Sequence, residues 1–156
     1  MCVVLVCKDK KPTKDILKKC EQANKDGIGI AWIENNISHF EKGICFNRLV
    51  ELVKSKALPL VIHFRITSTG ITNETMCHPF ITNELTDVPS LEGKNCDLLF
   101  HNGTKFQWHD GLFELAMAYK FKVNSLDNWS DTRYMAIASH FIGNGILEYF
   151  KEKLVI

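Results

Sequence analysis

The chain has 156 residues, enough for one domain that buries about two-thirds of the surface exposed by its unfolded form. Its 19 basic and 18 acidic residues are spread without long blocks, which argues against a nucleic-acid partner. No apolar run has the length of a membrane span, and the opening one meets Lys8 and Asp9 at once. We therefore expect a cytoplasmic protein with no membrane association and with six reduced cysteines.

The chain opens with Met1 and Cys2, followed by an apolar run at residues 3–6 that predicts a buried strand. Removal of Met1 would leave Cys2 with a thiol and a free α-amine on the same residue. Because such an amine has a reference pKa of about 7.7 to 8.0, it can take the thiol proton near neutrality. The alternative is a buried cysteine at an edge of the core.

Residues 8–59 predict helices and strands in alternation. Thr13 fits the N-cap of a helix that ends in a turn at residues 24–27. Residues 28–33 predict a second buried strand, residues 37–41 its return strand, and residues 46–53 another helix. Gly27 and Gly29 would let a backbone or a ligand come close, but they lack the third glycine and the following helix of a dinucleotide site.

A further strand is predicted at residues 60–66, where alternation places His63 and Arg65 on one face. A buried arginine is costly unless an acceptor meets it, and either an acidic side chain or a ligand anion would do so. The hydroxyl-rich turn at residues 67–70 and the segment Cys77-His78-Pro79-Phe80 are expected to form a ligand-facing edge. Residues 81–95 show no sustained period, which predicts a loop.

The strand predicted at residues 97–101 ends in Asn102 and Gly103. Such a pair is typical of a hairpin turn with positive φ, and it is also suited to an oxyanion hole. In the second case the Asn102 amide and the Gly103 N–H would each contribute about a hundredfold to a thousandfold in rate. Helices are predicted at residues 112–120, 131–140 and 145–153. Ser130 fits the N-cap of the second, and Asp131 would complement its dipole or hold a ligand ammonium.

Six short motifs now stand in a fixed order along residues 1 to about 135. They are Met1-Cys2, Asp26-Gly27-Ile28-Gly29-Ile30-Ala31, His63-Phe64-Arg65-Ile66-Thr67-Ser68-Thr69-Gly70, Cys77-His78-Pro79-Phe80, His101-Asn102-Gly103 and Ser130-Asp131-Thr132. The series resembles that of class II glutamine amidotransferases, which are N-terminal nucleophile hydrolases. The resemblance implies an α+β fold of the αββα type, a four-layer sandwich of two antiparallel sheets between helical layers. It is expected as a single domain over residues 1–156, shortened at its C-terminal end.

The same resemblance implies an enzyme and assigns its catalytic residues. After Met1 removal, Cys2 would attack the side-chain amide of glutamine or of a γ-glutamyl compound. Ammonia would leave, and a thioester would then be hydrolysed to the acid. Asn102 and Gly103 would stabilise the oxyanion.

Substrate binding is assigned by the same resemblance. Arg65 would hold the α-carboxylate in a bidentate pair, with Ser68 in a place where the family usually has threonine. Asp131 would bind the α-ammonium, and His78 would shape the site together with His101. The resemblance implies no metal and no cofactor, although three histidines and an aspartate are a possible zinc set.

Three departures from the family pattern are visible. Val3 stands where glycine is usual, and Thr67 and Thr69 replace the usual alanine and histidine. No synthase domain follows the last motif, so ammonia would be released or passed to a separate synthase subunit. The alternative function is a non-catalytic ligand-binding or regulatory module that retains the amidotransferase fold.

Overall fold

The computed structural model describes residues 1–67, 72–82, 90–94, 96–126, 129–150 and 153–155, and its fold is α+β. The strands are β1 Val3–Cys7, β2 Gly27–Glu34, β3 Ile37–Lys42, β4 Leu60–Arg65, β5 Phe80–Ile81, β6 Ser90–Lys94, β7 Leu98–Asn102 and β8 Lys153–Val155. The α-helices are α1 Lys14–Ala23, α2 Phe46–Ser55, α3 Trp108–Tyr119, α4 Asp131–Ile142 and α5 Leu147–Phe150. Short 3₁₀ turns occupy Glu74–Met76 and Asn144–Ile146.

A large antiparallel sheet has the strand order β1-β4-β2-β3-β6. Its second strand, β4, lies between β1 and β2, with Val3 opposite Phe64 and Gly27 opposite Arg65. Because both neighbours run antiparallel to β4, the end of β4 lies beside the beginnings of β1 and β2. Cys2 and Asp26 therefore flank the end of the strand that carries Arg65.

A small antiparallel sheet has the order β5-β7-β8, with Phe80 opposite Leu99 and His101 opposite Leu154. The end of its middle strand carries His101 and Asn102. This pairing brings the segment before β5, which contains His78, beside the end of β7.

The buried side chains form successive layers. Helices α1 and α2 pack on one face of the large sheet through Leu17, Leu49 and Leu52 against strand residues such as Ile30 and Ile62. The opposite face of the large sheet packs on the small sheet. Its contributors on both sheets are Ala31, Phe40, Ile81, Leu98 and Phe100. The far face of the small sheet carries Phe80 and Leu99, which pack against Met135 of α4 and Leu147 of α5.

Most elements predicted from periodicity are confirmed. The strands at residues 3–6, 28–33, 37–41, 60–66 and 97–101 are present within one or two residues, as is the helix at residues 46–53. Thr13 caps α1 by accepting the Ile16 N–H at 3.3 Å, and Ser130 caps α4 by accepting the Arg133 N–H at 3.1 Å. All six cysteines are free thiols.

Two predictions are wrong. Residues 81–95 are not all loop, because β5 includes Ile81 and β6 pairs with β3 at the edge of the large sheet. The β6 sequence Ser-Leu-Glu-Gly-Lys does not alternate, and its strand is defined by backbone pairing that a periodicity test does not detect. The helix predicted at residues 145–153 ends at Phe150, and Lys153–Val155 instead forms β8 on the edge of the small sheet.

Helix α3 begins four residues earlier than the predicted start at residue 112, at Trp108, and includes Gly111. A Cβ added at Gly111 would lie 2.4 Å from the Tyr134 hydroxyl, so this glycine allows α3 to pack closely on α4. Across the part of the chain that is described, no helix is both long enough and apolar enough to cross a membrane.

Candidate active site

A cleft of about 40 Å³ opens where the large sheet, the small sheet and the start of α4 meet, and we call it the Cys2 cleft. Its lining includes Cys2 and Arg65 from the large sheet side, His78 and Gly103 from the small sheet side, and Asp131 from α4. Five of the seven site residues predicted from the sequence thus lie around one space. Asn102 directly precedes Gly103 but is not part of the lining, and Ser68 lies outside the described residues.

The Cys2 thiol is held against the backbone at the end of β4. Its S–H donates to the Ile66 carbonyl at 3.5 Å, and the Ile66 N–H donates to the same sulfur at 3.5 Å. Cys2 itself is half-buried, whereas Met1 before it is 91% exposed. The sulfur therefore has a fixed position in the cleft, and Met1 contributes little packing.

Val3 does not enter the Cys2 cleft. It packs with the apolar cluster between the large sheet and helices α1 and α2. Val4 packs between the two sheets, and strand alternation puts Cys2 on that same inner face. The Val3 side chain thus points away from Cys2 and is not part of the cleft lining.

Arg65 is 7% exposed, and its Nη1 donates to the Asn73 carbonyl at 3.3 Å. The neighbouring Asp26 accepts the Thr67 backbone N–H at 2.6 Å. Hydrogen bonds from the Thr67 backbone and hydroxyl hold the pKa of Asp26 below its ordinary value, and the positive charge of Arg65 acts in the same direction. The guanidinium side of the cleft is therefore buried, cationic and anchored by backbone contacts.

Two histidine rings pack together behind this cationic group. The ring centroids of His63 and His78 lie 4.0 Å apart. Burial lowers the pKa of His63 to about 3, and the charges of Arg65 and His101 add to the effect. Burial likewise lowers the pKa of His78 well below its ordinary value, with smaller effects from the surrounding histidines, Lys42 and Arg65. Both rings are therefore neutral at neutral pH.

The hydrogen bonds of His78 fix its tautomer. Its Nδ1 accepts the backbone N–H of His101 at 3.3 Å, so the proton of the neutral ring is on Nε2. His63 is fully buried, and neither of its ring nitrogens has a hydrogen-bond partner among the described residues. The sequence assigned a shaping role to His78 and His101, and the structure places His78 in the lining and joins it to the backbone of His101.

Asp131 is 9% exposed and is oriented by neighbouring donors. Its Oδ1 accepts the Thr132 N–H at 2.8 Å and the Thr132 hydroxyl at 3.3 Å, while its Oδ2 accepts the Lys105 N–H at 2.8 Å. The His101 Nδ1 lies 3.0 Å from the Thr132 hydroxyl and 3.8 Å from Oδ2. Asp131 thus lines the cleft as a carboxylate whose orientation is set by Thr132 and by the Lys105 backbone.

Asn102 and Gly103 follow one another at the end of β7. Neither residue has a positive φ in this part of the chain, so they do not form the tight hairpin turn that is typical of the pair. The Asn102 Oδ1 is buried and has no partner among the described residues. Gly103 is exposed and borders the cleft that also contains Cys2.

Three contributors to the site were not assigned from the sequence: Asp26, Ile66 and Thr132. Ile66 acts through its backbone, for which side-chain chemistry gives no signal. Asp26 and Thr132 both fall inside the motifs quoted above, and their positions directly beside glycine and aspartate were the available signal. Gly29 meets the His78 carbonyl, which confirms the predicted close approach of another backbone at this position, whereas Gly27 meets the side-chain sulfur of Cys77.

Within the described residues, no group of three or more His, Cys, Asp or Glu side chains is placed to hold a metal ion. The zinc set considered from the sequence is thus not assembled there. A comparison with models of known protein families and a comparison with curated proteins both found no match to this chain.

Proposed function

We propose that this chain is an amidohydrolase of the class II glutamine amidotransferase type, with Cys2 as its N-terminal nucleophile. The observation that carries the proposal is the convergence of the Cys2 thiol, the Arg65 guanidinium and the Asp131 carboxylate on one cleft from three separate elements. The packing of helices on both outer faces of two stacked sheets supports the corresponding αββα sandwich.

The two charged groups define the head group of the substrate. A buried arginine pairs well with a carboxylate, and the Asp131 carboxylate in the cleft lining suits an ammonium. A ligand that carries both charges on one carbon is an α-amino acid. Its side-chain amide would then extend toward Cys2, as in glutamine or a γ-glutamyl compound.

The reaction would proceed in two halves. The Cys2 α-amine takes the thiol proton, and the sulfur attacks the amide carbon to form a tetrahedral oxyanion, which the Gly103 N–H and the Asn102 amide stabilise. The C–N bond breaks, the leaving nitrogen takes the proton from the amine, and ammonia departs. Water then adds to the thioester, the C–S bond breaks, and the acid and the free thiol are regenerated. The ammonia is released or passes to a separate synthase subunit.

This mechanism requires removal of Met1, since a peptide bond to Met1 occupies the α-nitrogen that acts as the base. The 91% exposure of Met1 supports processing, because an aminopeptidase can reach it without displacing packed side chains. The small second residue also favours it.

The size of the cleft favours a second candidate, a non-catalytic module that retains the fold and binds or regulates a partner. A volume of about 40 Å³ has room for a few water molecules, so an amino acid would have to widen the cleft. A module that no longer turns over substrate has no such requirement.

Intact mass and ammonia release separate the two candidates. The purified protein should begin at Cys2 and release ammonia from glutamine, and Cys2→Ala should abolish release. The matched control is Cys45→Ala, since Cys45 is an exposed thiol away from the cleft lining. Activity that survives Cys2→Ala would exclude the proposed chemistry. A protein that retains Met1 and releases no ammonia would instead favour the non-catalytic module.

A further inference from the structure

Asp26 holds the two peptide groups that flank one residue of the neighbouring chain segment. Its backbone N–H donates to the Arg65 carbonyl at 3.1 Å, and its carboxylate accepts the Thr67 N–H at 2.6 Å. The residue between these two contact points is Ile66. Asp26 therefore holds the chain on both sides of Ile66 at the point where it leaves β4.

Ile66 is the residue that contacts the nucleophile. Its N–H and its carbonyl each lie 3.5 Å from the Cys2 sulfur. We infer that Asp26 is a positioning residue, which fixes the two peptide groups of Ile66 against the Cys2 thiol. The inference rests on the proposed function, in which Cys2 is the nucleophile, and adds to it a residue that acts through the backbone.

The local structure is arranged to place the Asp26 carboxylate. Gly27, the next residue, has φ of 148° and pairs with Arg65, and a Cβ there would lie 2.2 Å from the Cys77 sulfur. Few side chains tolerate that backbone conformation, so the glycine at the start of β2 sets the direction of the chain at Asp26. The Thr67 hydroxyl is further held by the Thr72 hydroxyl at 3.0 Å.

Asp26 acts on Cys2 indirectly, through the backbone of Ile66. It does not line the Cys2 cleft, whereas Arg65, Ile66 and Thr67 do. Removal of its carboxylate would free the Thr67 N–H and let the peptide group between Ile66 and Thr67, which carries the Ile66 carbonyl, move away from the sulfur. The expected consequence is a slower reaction of Cys2 with electrophiles in a protein that is still folded.

The test compares alkylation of two cysteines in the same molecule. Wild type, Asp26→Ala, Asp26→Asn and the exposed-loop control Asp9→Ala are treated with iodoacetamide, and the labelling rates of Cys2 and Cys45 are followed by peptide mass mapping. We expect Asp26→Ala to lower the Cys2-to-Cys45 rate ratio at least about fivefold. Asp26→Asn should keep the ratio within about twofold, since its amide oxygen accepts the same N–H.

Labelling of the buried Cys7, Cys77 and Cys96 reports whether a variant has unfolded. If Asp26→Ala exposes them, Asp26→Glu replaces it, because a longer side chain keeps the charge but displaces the acceptor. A lower ratio in Asp26→Glu than in Asp26→Asn would support positioning. Equal ratios in the two, or a wild-type ratio in folded Asp26→Ala, would overturn the inference.

The outcome is separable from that of the proposed function, since alkylation needs no turnover. A wild type that releases no ammonia while its Cys2 labelling depends on Asp26 would reject the proposed activity and retain the positioning role. If the wild type releases ammonia but the labelling rate of Cys2 is the same in the Asp26 variants, the proposed activity is retained and the positioning role is rejected.

Discussion

Gly29 of β2 lies directly against the backbone carbonyl of His78. A Cβ added at Gly29 would stand 1.7 Å from that oxygen and 3.3 Å from the Lys42 Cβ. Because the obstacle is backbone, it cannot be relieved by a rotamer change. We predict that Gly29→Ala lowers the free energy of unfolding by about 3 kcal/mol, measured by urea denaturation.

The matched control for this prediction is Gly145→Ala. Gly145 has no atom within 4 Å of an added Cβ, and its φ lies outside the left-handed region. The control should change the free energy of unfolding by less than about 0.5 kcal/mol. Equal effects of the two substitutions would show that close packing at Gly29 does not limit stability.

Thr132 is expected to tune substrate binding. Its hydroxyl lies between the His101 ring and the Asp131 carboxylate, and its backbone N–H also donates to Asp131. Thr132→Val removes only the hydroxyl. We predict that it raises KM for the amino acid substrate about fivefold, with kcat within about twofold.

Thr132→Ser retains the hydroxyl and should restore the wild-type KM. Steady-state ammonia release measures both constants. A fall in kcat at constant KM in Thr132→Val would contradict the assignment of Asp131 to the substrate ammonium.

The buried His63 should make the fold acid-sensitive. Its pKa in the folded chain is about 3, against an ordinary value of 6.5, so between these pH values the unfolded chain binds a proton that the folded chain does not. Stability therefore falls as the pH falls from 6.5 toward 3, by about 1.4 kcal/mol per pH unit for this group. The measurement is urea denaturation at several pH values.

His63→Leu should remove the contribution of one proton to this pH dependence of the free energy of unfolding. It should change the free energy of unfolding at pH 7 by less than about 1 kcal/mol, because the lost ring nitrogens have no partner in the described chain. Gly145→Ala, which changes no titratable group, is the control and should retain the wild-type slope. An unchanged slope in His63→Leu would mean that other groups determine the acid response.

Val3→Gly tests the departure from the family pattern. Val3 packs toward α1 and α2, so its loss should cost about 1.5 kcal/mol of unfolding free energy. Access to Cys2 should not improve, and the iodoacetamide labelling rate of Cys2 should stay within about twofold of wild type. A large gain in labelling would show that the Val3 side chain obstructs the cleft.

The fold was predictable where apolar periodicity is strong. Strands β1, β2 and β4 and helix α2 contain dense apolar patterns, and they form the core of the large sheet. Strands β6 and β8 were missed because five and three residues of mixed polarity give no periodic signal, and their pairing partners lie far away in sequence.

For the candidate site, most of the residues that come together in the cleft were predictable, but their detailed contacts were not. Arg65 in a buried strand required a partner, and the family resemblance assigned Asp131 to the same ligand; both line the cleft with Cys2. The two hydrogen bonds of Asp26 on either side of Ile66 were not predictable, since they depend on backbone groups that the pairing of β2 with β4 brings close to Asp26. The orientation of Val3 away from the cleft likewise follows only from the packing.

The groups of the proposed site are divided between two sheets that share no ladder among the described residues. Cys2 and Arg65 belong with the large sheet, whereas Asn102 ends β7 of the small sheet and Gly103 follows it. Side-chain packing through residues such as Phe40 and Phe100 sets the spacing between them. Warming that loosens this interlayer contact would separate nucleophile from oxyanion donors while each ladder is still intact. Heat inactivation should accordingly precede the loss of far-ultraviolet circular dichroism.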